Sequence, residues 1–203
     1  MKKYSLIIFD LDGVIIDSKK NMSYAWEKVK KKHQIKTKFK KYFEKIGYPF
    51  KEILKKMKIK KNHSEIQKTY SEASLISFGK IKLYKNIKKI LFCLKRKKVK
   101  IAILTSKDKK RTLKILKKFN LPFSVVACSE ENKRGKPSPL QINSLIKMFK
   151  IKKNKVAYVG DMKVDFLLTR NAKIDFIFAN YGYGKKVKAN FKINKPDDIL
   201  NFV

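Results

Sequence analysis

The sequence predicts an α/β fold, a doubly wound parallel sheet with an inserted all-helical block. Three observations carry this. Five short, β-rich apolar runs punctuate the chain: SLIIF at 5–9, KIAILT at 100–105, SVVAC at 124–128, VAYVG at 156–160 and DFIFA at 175–179. The segments between the second run and the fifth have helical periodicity, and alternating strands and helices imply a parallel sheet covered on both faces. Between residue 18 and about residue 83 no convincing strand occurs.

Taken in order, the first run passes from four apolar residues into Asp10-Leu11-Asp12, and Gly13 lets the backbone turn away. The helical block follows, as SKKNMSYAWEKVKKKH (18–33), KFKKYFEKI (38–46), PFKEILKKM (49–57) and SEIQKTYSEASLISF (64–78), with Gly47-Tyr48-Pro49 as a break. Within it Trp26 is assigned to the core. His33 and His63, with no ligand spacing around them, are assigned to packing or the surface. A helix at 85–98 leads into the second run, and KDKKRTLKILKKF at 107–119 places Leu113, Leu116 and Phe119 on one face. At 138–150, Ser138 can cap a helix, Pro139 suits its first turn and Gln141 completes a capping box. The helix after the fourth run ends at Ala172-Lys173, where a left-handed Lys173 would cost about 1 kcal/mol relative to glycine.

The length of 203 residues suits one such domain carrying an insertion, and 43% hydrophobic residues argue against disorder. The formal charge of +37 is the usual flag for nucleic acid or anionic membrane. Yet of 53 basic residues only Arg96, Arg111, Arg134 and Arg170 are arginine, and a nucleic-acid reader uses guanidinium forks. The lysines are spread along the whole chain, so they read as a solvated surface and no specific nucleic-acid partner is expected. Cys93 and Cys128 are too few and too far apart for a disulfide framework, which points to a reducing compartment. The apolar run 6–9 is too short for a signal-peptide core, and no stretch approaches the ~20 apolar residues that cross a bilayer. A cytoplasmic protein without a membrane partner is expected.

Ligands of open parallel sheets bind at the carboxyl ends of the strands. Those ends carry Asp10 and Asp12, Thr105 and Ser106, and Asp161 and Asp165 in VGDMKVD, while Lys136 lies in RGKPSP. Asp10 and Asp12, two apart in extended chain, point the same way and repel. A hard divalent ion such as Mg²⁺ suits four gathered carboxylates and commonly completes its shell with a substrate phosphate. Thr105 Oγ, the Ser106 N–H and the Lys136 ammonium are donors of the right type for that phosphate. Asp108 competes with Thr105 and Ser106 as cap of the following helix. One carboxylate could attack phosphorus while a second protonates the leaving oxygen and then activates water, roles that Asp10 and Asp12 fit.

FDLDGV, LTSK, GKPSP and GDMKVD stand in the order and rough spacing of the four motifs of the haloacid dehalogenase superfamily, and the chain resembles that superfamily over nearly its whole length. The resemblance implies a core of residues 1–17 and 84–203 and a helical cap of residues 18–83. It also implies roles: Asp10 as nucleophile and Mg²⁺ ligand, and Asp12 as general acid/base with its backbone carbonyl on the metal. Thr105 and Ser106 become phosphate binders, Lys136 a charge stabiliser, Asp161 a metal ligand and Asp165 a supporting ligand. Dehalogenases of the superfamily lack an acid at the position of Asp12, so phosphate chemistry is implied. TSKDKKRTLKILKKFNLPF and FANYGYG are similar to the phosphoglycolate-phosphatase-like branch. The β-phosphoglucomutase branch has a His where this chain has Met22. Gly47, Tyr48 and Lys51 fall where such caps select substrates. The expectation is a Mg²⁺-dependent phosphatase of a small phosphorylated metabolite, monomeric or homodimeric. The alternatives are a phosphomutase, or a polyanion-binding protein on this core.

Overall fold

The structure, a computed structural model, describes residues 2–123, 125–128, 134–185 and 187–203. Strand β1 (Leu6–Phe9) shows why the apolar runs become a buried sheet. Leu6 and Ile8 enter one core cluster, Ile7 and Phe9 another, as the two-residue period of a strand dictates. The same division holds for Ile101 and Ile103 against Ala102 and Leu104, and for Ala157 and Val159 against Val156 and Tyr158. Each face must therefore be covered by helices.

The remaining strands are β2 (Ile16–Asp17), β3 (Lys82–Leu83), β4 (Lys100–Thr105), β5 (Val125–Cys128), β6 (Val156–Gly160), β7 (Asp175–Ala179) and β8 (Phe191–Ile193). Among the described residues β1 and five of these form a sheet in the order β5-β4-β1-β6-β7-β8, parallel at every pairing. The chain leaves β1 for β4 on one side and later fills β6 on the other. That reversal puts the ligand-binding crevice at the carboxyl end of β1.

The helices are α1 (Lys19–His33), α2 (Phe39–Phe43), α3 (Phe50–Lys56), α4 (His63–Ile76), α5 (Ile87–Arg96), α6 (Lys109–Phe119), α7 (Leu140–Phe149) and α8 (Lys163–Ala172). Helix α5 covers one face of the sheet through Ile87, Ile90, Leu91 and Leu94, helped by Ile115 of α6. Helices α7 and α8 cover the other through Ile142, Leu145, Ile146, Leu168 and Ala172. Helices α1–α4 build a third core on Met22, Ala25, Trp26 and Val29, whose i, i+3, i+4, i+7 spacing is one face of α1. Trp26 stacks on Tyr42 at 4.6 Å and donates its indole N–H to the Thr37 carbonyl at 2.9 Å. His33 meets the Thr69 hydroxyl at 2.9 Å and His63 the Ile59 carbonyl at 2.7 Å, so both are packing histidines.

Several expectations are corrected. The stretch read as strandless ends in β3, which pairs antiparallel with β2; two residues are too few to show a period. The three-residue β8 is likewise too short to show a period, and the seven-residue 3-10 stretch Pro196–Phe202 does not follow the α-helical one. In α6 the buried stripe runs through Thr112 and Ile115, with Leu116 and Phe119 half-buried, while Leu113 is 46% exposed. Thr112 can be buried because its hydroxyl donates to the Asp108 carbonyl at 2.8 Å. The Ser138 capping box does not form: α7 begins at Leu140, Ser138 N–H closes a turn onto the Gly135 carbonyl at 2.9 Å, and Gln141 donates to the Cys128 carbonyl at 2.8 Å. Lys173 does take the left-handed conformation, at φ 56°. Ser124 of the third run lies outside the described residues. Among the described residues no helix is long and apolar enough to cross a membrane.

Candidate active site

The two aspartates that end β1 part company. Asp10 stays locked to the sheet, donating its N–H to the Val159 carbonyl at 2.9 Å, and its Oδ1 lies 2.9 Å from the Lys136 ammonium. The backbone then turns through Gly13 at φ 85°, a conformation that favours glycine. The Asp12 carboxylate accepts the Ser18 hydroxyl on Oδ1 and pairs Oδ2 with Lys107 Nζ at 3.1 Å. Each carboxylate thus has its own buried cation, which relieves part of the repulsion the sequence implied.

Strand β6 delivers the other two acids. Asp165 is fully buried in the first turn of α8, where Oδ2 accepts the Met162 N–H at 3.0 Å and Oδ1 accepts Lys136 Nζ at 2.9 Å. Asp161 accepts the Tyr183 N–H on Oδ2 at 2.7 Å, and its Oδ1 is buried without any hydrogen-bond partner. An orphaned buried carboxylate oxygen is costly unless something positive meets it. Asp10, Asp161 and Asp165 each offer an oxygen, all within 4.8 Å of one another. This hard, all-oxygen donor set fits a divalent cation such as Mg²⁺. The Asp12 side chain is not among the three.

The fields follow from that gathering. Burial pushes Asp10 up from 3.8 to about 7, aided by the Asp165 and Asp12 charges and opposed by Lys136. Burial likewise holds Asp161 well above the usual carboxylate range, with the Asp165 and Asp10 charges adding to it. For Lys136 burial acts downward, but the Asp10 and Asp165 carboxylates outweigh it and the ammonium is held up. Burial lowers Lys107 despite its partner Asp12.

Thr105 and Ser106 end β4, the neighbour of β1. The Thr105 hydroxyl oxygen accepts the Lys107 N–H at 3.2 Å, which leaves its own proton to donate. Ser106 Oγ donates to the Gly47 carbonyl at 2.5 Å and so links the sheet to the helical block. Asp108 caps α6, accepting the Arg111 N–H at 2.9 Å, so neither Thr105 nor Ser106 is spent as a cap. Asp10, Asp12, Thr105 and Ser106 line one cavity of about 60 Å³, lined from the helical side by Gly47, Tyr48, Tyr42 and Tyr70. Tyr48 and Ser106 also line a larger outer cavity of about 710 Å³, where Lys51 and Lys136 lie. The structure thus gathers the predicted residues, with Lys51 displaced outward and Asp161 and Asp165 beneath.

Sequence reasoning missed Lys107, Arg111, Ser18 and Tyr183. Lys107 shares the strand-end face of Thr105, two residues before it, which was a readable signal. Tyr183 ties the site together: its N–H holds Asp161 while its hydroxyl accepts the Ser18 N–H at 2.7 Å. The flanking glycines allow this approach, since a Cβ on Gly184 would lie 1.8 Å from the Asp161 carbonyl oxygen. Gly184→Ala should therefore lower the melting temperature by several degrees, the usual result of about 1–3 kcal/mol of overpacking. Gly79→Ala, where nothing lies within 4 Å, is the control; equal melting of the two would refute the close approach.

Comparison with known proteins matches residues 7–179 to the family described as haloacid dehalogenase-like hydrolase. A phosphoglycolate phosphatase from Aquifex aeolicus is 28% identical over 210 residues, covering 98% of this chain and 96% of that protein. A phosphorylated carbohydrates phosphatase from Thermotoga maritima is 24% identical, covering 96% of each. The fold is shared with a haloacid dehalogenase-like family hydrolase from Streptococcus pneumoniae, with a TM-score of 0.84 at 20% identity over 98% of both chains.

Proposed function

The chain belongs to the haloacid dehalogenase-like hydrolase family, and we propose that it is a Mg²⁺-dependent phosphatase that hydrolyses a small phosphomonoester through an aspartyl phosphate. The observation that carries this reading is the division of the β1 acids. Asp10 stands in the three-carboxylate cluster, while Asp12 is held outside it by Ser18 and Lys107. In this reading the first acid attacks and the second transfers the proton.

In the proposed mechanism, Asp10, Asp161 and Asp165, with the Asp12 backbone carbonyl, would hold Mg²⁺, which supplies positive charge to the phosphoryl oxygens and to the carboxylates. The Thr105 hydroxyl and the Ser106 N–H donate to those oxygens, and Lys136 balances the charge on Asp10. In this reading Asp12, the carboxylate paired with Lys107 in the structure, enters the first step protonated: an Asp10 carboxylate oxygen attacks phosphorus, the ester P–O bond breaks, and the leaving oxygen takes the Asp12 proton. Asp12, now a carboxylate, takes a proton from a water whose oxygen attacks the Asp10-bound phosphoryl group. Phosphate leaves and Asp10 is restored.

We assign residues 18–83 to a cap and residues 1–17 with 84–203 to the core. Support comes from the β2–β3 ribbon, through which the chain enters and leaves the helical block side by side. The small cavity walled by both parts and the Ser106–Gly47 hydrogen bond support a cap seated on the site, and in this reading substrate enters as it swings away. A reducing cytoplasm supplying small phosphorylated metabolites is the setting we propose. Buried Met22 lines the cavity and cannot shuttle a proton, which disfavours the mutase.

The test is a phosphate-release screen over many phosphomonoesters with and without Mg²⁺. Release that depends on Mg²⁺ is expected for at least one. Isomerisation primed by a bisphosphate, without net release, would establish the mutase instead. No hydrolysis, together with polyanion binding that falls steeply with salt, would establish the binding protein.

A further inference from the structure

One buried cation of the cavity has no part in the reaction just described. Arg111, in the first turn of α6, is 7% exposed and lines both the inner and the outer cavity. Its Nε donates to Asp108 Oδ2, and its Cζ lies 5.2 Å from the centre of the Tyr70 ring. Its Nη1 is buried and makes no hydrogen bond. Asp108 also accepts the Arg111 N–H, so the side chain is held at its root and at Nε while one arm of the fork stays unsatisfied. Buried charged donors are rarely left in that condition without a ligand to meet them.

The surroundings narrow what that ligand can be. Lys107 is the other cation among the described residues lining the inner cavity, and it is committed to Asp12. The wall beside Arg111 is aromatic, with Tyr70 set 5.6 Å from Tyr42 and 4.8 Å from Phe50 between ring centres. Burial pushes the Tyr70 phenol up to about 12 and holds Tyr42 well up, so both stay neutral and supply no negative charge to the guanidinium. Asp108, which burial pushes up but Arg111 draws below its ordinary value, is occupied at Nε. The remaining arm suits an oxyanion, for which a planar fork is the best-matched side chain.

We propose that Arg111 is a specificity residue that binds a second oxyanion, a carboxylate or a further phosphoryl group, carried on the leaving group of the substrate. The proposal rests on the phosphatase reading and narrows it. The preferred substrate has its own negative charge close to the ester oxygen, because Arg111 shares a cavity of about 60 Å³ with Asp10, Thr105 and Ser106. Arg111 makes and breaks no bond; it selects and orients.

The experiment compares kcat and KM for 2-phosphoglycolate, inorganic pyrophosphate and ethyl phosphate in the wild type, Arg111→Gln and Arg111→Lys, with melting curves as a check on folding. Arg111→Gln should lower kcat/KM for one or both charged probes by on the order of 10- to 100-fold, mainly through KM, and leave ethyl phosphate within about twofold. Arg111→Lys, which keeps the charge without the fork, should recover part of the loss. Whichever charged probe suffers identifies the oxyanion. Equal losses on all three probes, or none on any, overturn the proposal while leaving the phosphatase standing. Absence of hydrolysis of all three by the wild type counts against the phosphatase reading itself. Calorimetric binding of glycolate then decides the role of Arg111, equal affinity in wild type and Arg111→Gln overturning it.

Discussion

Asp10→Asn should lower kcat/KM for every accepted phosphomonoester by on the order of 10⁴-fold or more, without loss of folding. An amide in place of the carboxylate has no oxygen able to displace the leaving group and form an acyl phosphate, and loss of a nucleophile is among the largest single effects known in enzymes. The side chain is nearly isosteric, and Asp10 N–H, which anchors the residue to Val159, is untouched. Melting should therefore persist, and the loss should fall on kcat. A variant within tenfold of the wild type would rule Asp10 out as nucleophile and leave Asp12 as the candidate.

Without Mg²⁺, the same variant should melt above the wild type by a margin that widens as pH rises from about 4 to about 7. Folded Asp10, at about 7, holds its proton more tightly than the unfolded chain, where the group titrates at 3.8. Its contribution to stability is present below the unfolded value and lost as pH climbs through the folded one. Asp161, raised by burial, acts with the same sign. At about 1.4 kcal/mol per unit the wild type gives up a few kcal/mol over that window, on the order of 10 °C in melting temperature. The difference between the two proteins is the useful reading, because ionising surface carboxylates also relieve the repulsion of a +37 chain and act oppositely. Saturating Mg²⁺ should close most of the margin by stabilising only the wild-type cluster. A margin independent of both pH and Mg²⁺ would show that the three carboxylates do not act as a cation site.

These two effects depend on residues that the sequence could expose, and it is clear why. The sheet strands are buried on both faces, so runs such as IIF and VAYV need no partner information to be recognised, and their polar termini mark the crevice. Lys107 and Arg111 were a different matter. Among 53 basic residues, the identity of a lysine says little; the place of Lys107 two residues after Thr105 is its one legible sign, and that it is 7% exposed and facing Asp12 is a property of the assembled tertiary structure. Ser138 misled for the converse reason. Its local signature of a cap is sound, but the turn that brings Lys136 beneath Asp10 takes the Ser138 N–H for itself. In α6, Leu113 looked like core because hydrophobicity alone cannot reveal that a threonine with its hydroxyl satisfied by Asp108 occupies the inward position.

The two-residue ribbon of β2 and β3 has a consequence for how this protein can change over generations. Because Ile16 and Leu83 are paired neighbours, everything between them begins and ends at one place on the sheet. Such a segment can be lengthened, reshaped or exchanged without shifting the register of β1 against β4 or β6. On the proposed reading, inheritance can then tinker with which molecules are admitted, through the cavity-lining Gly47, Tyr48 and Tyr70, while the acids at the strand ends stay fixed. Arg111 lies outside that segment, in α6, yet reaches the Tyr70 ring within it, so on the role proposed for Arg111 a lineage that trades a charged substrate for a neutral one would have to edit both sides together.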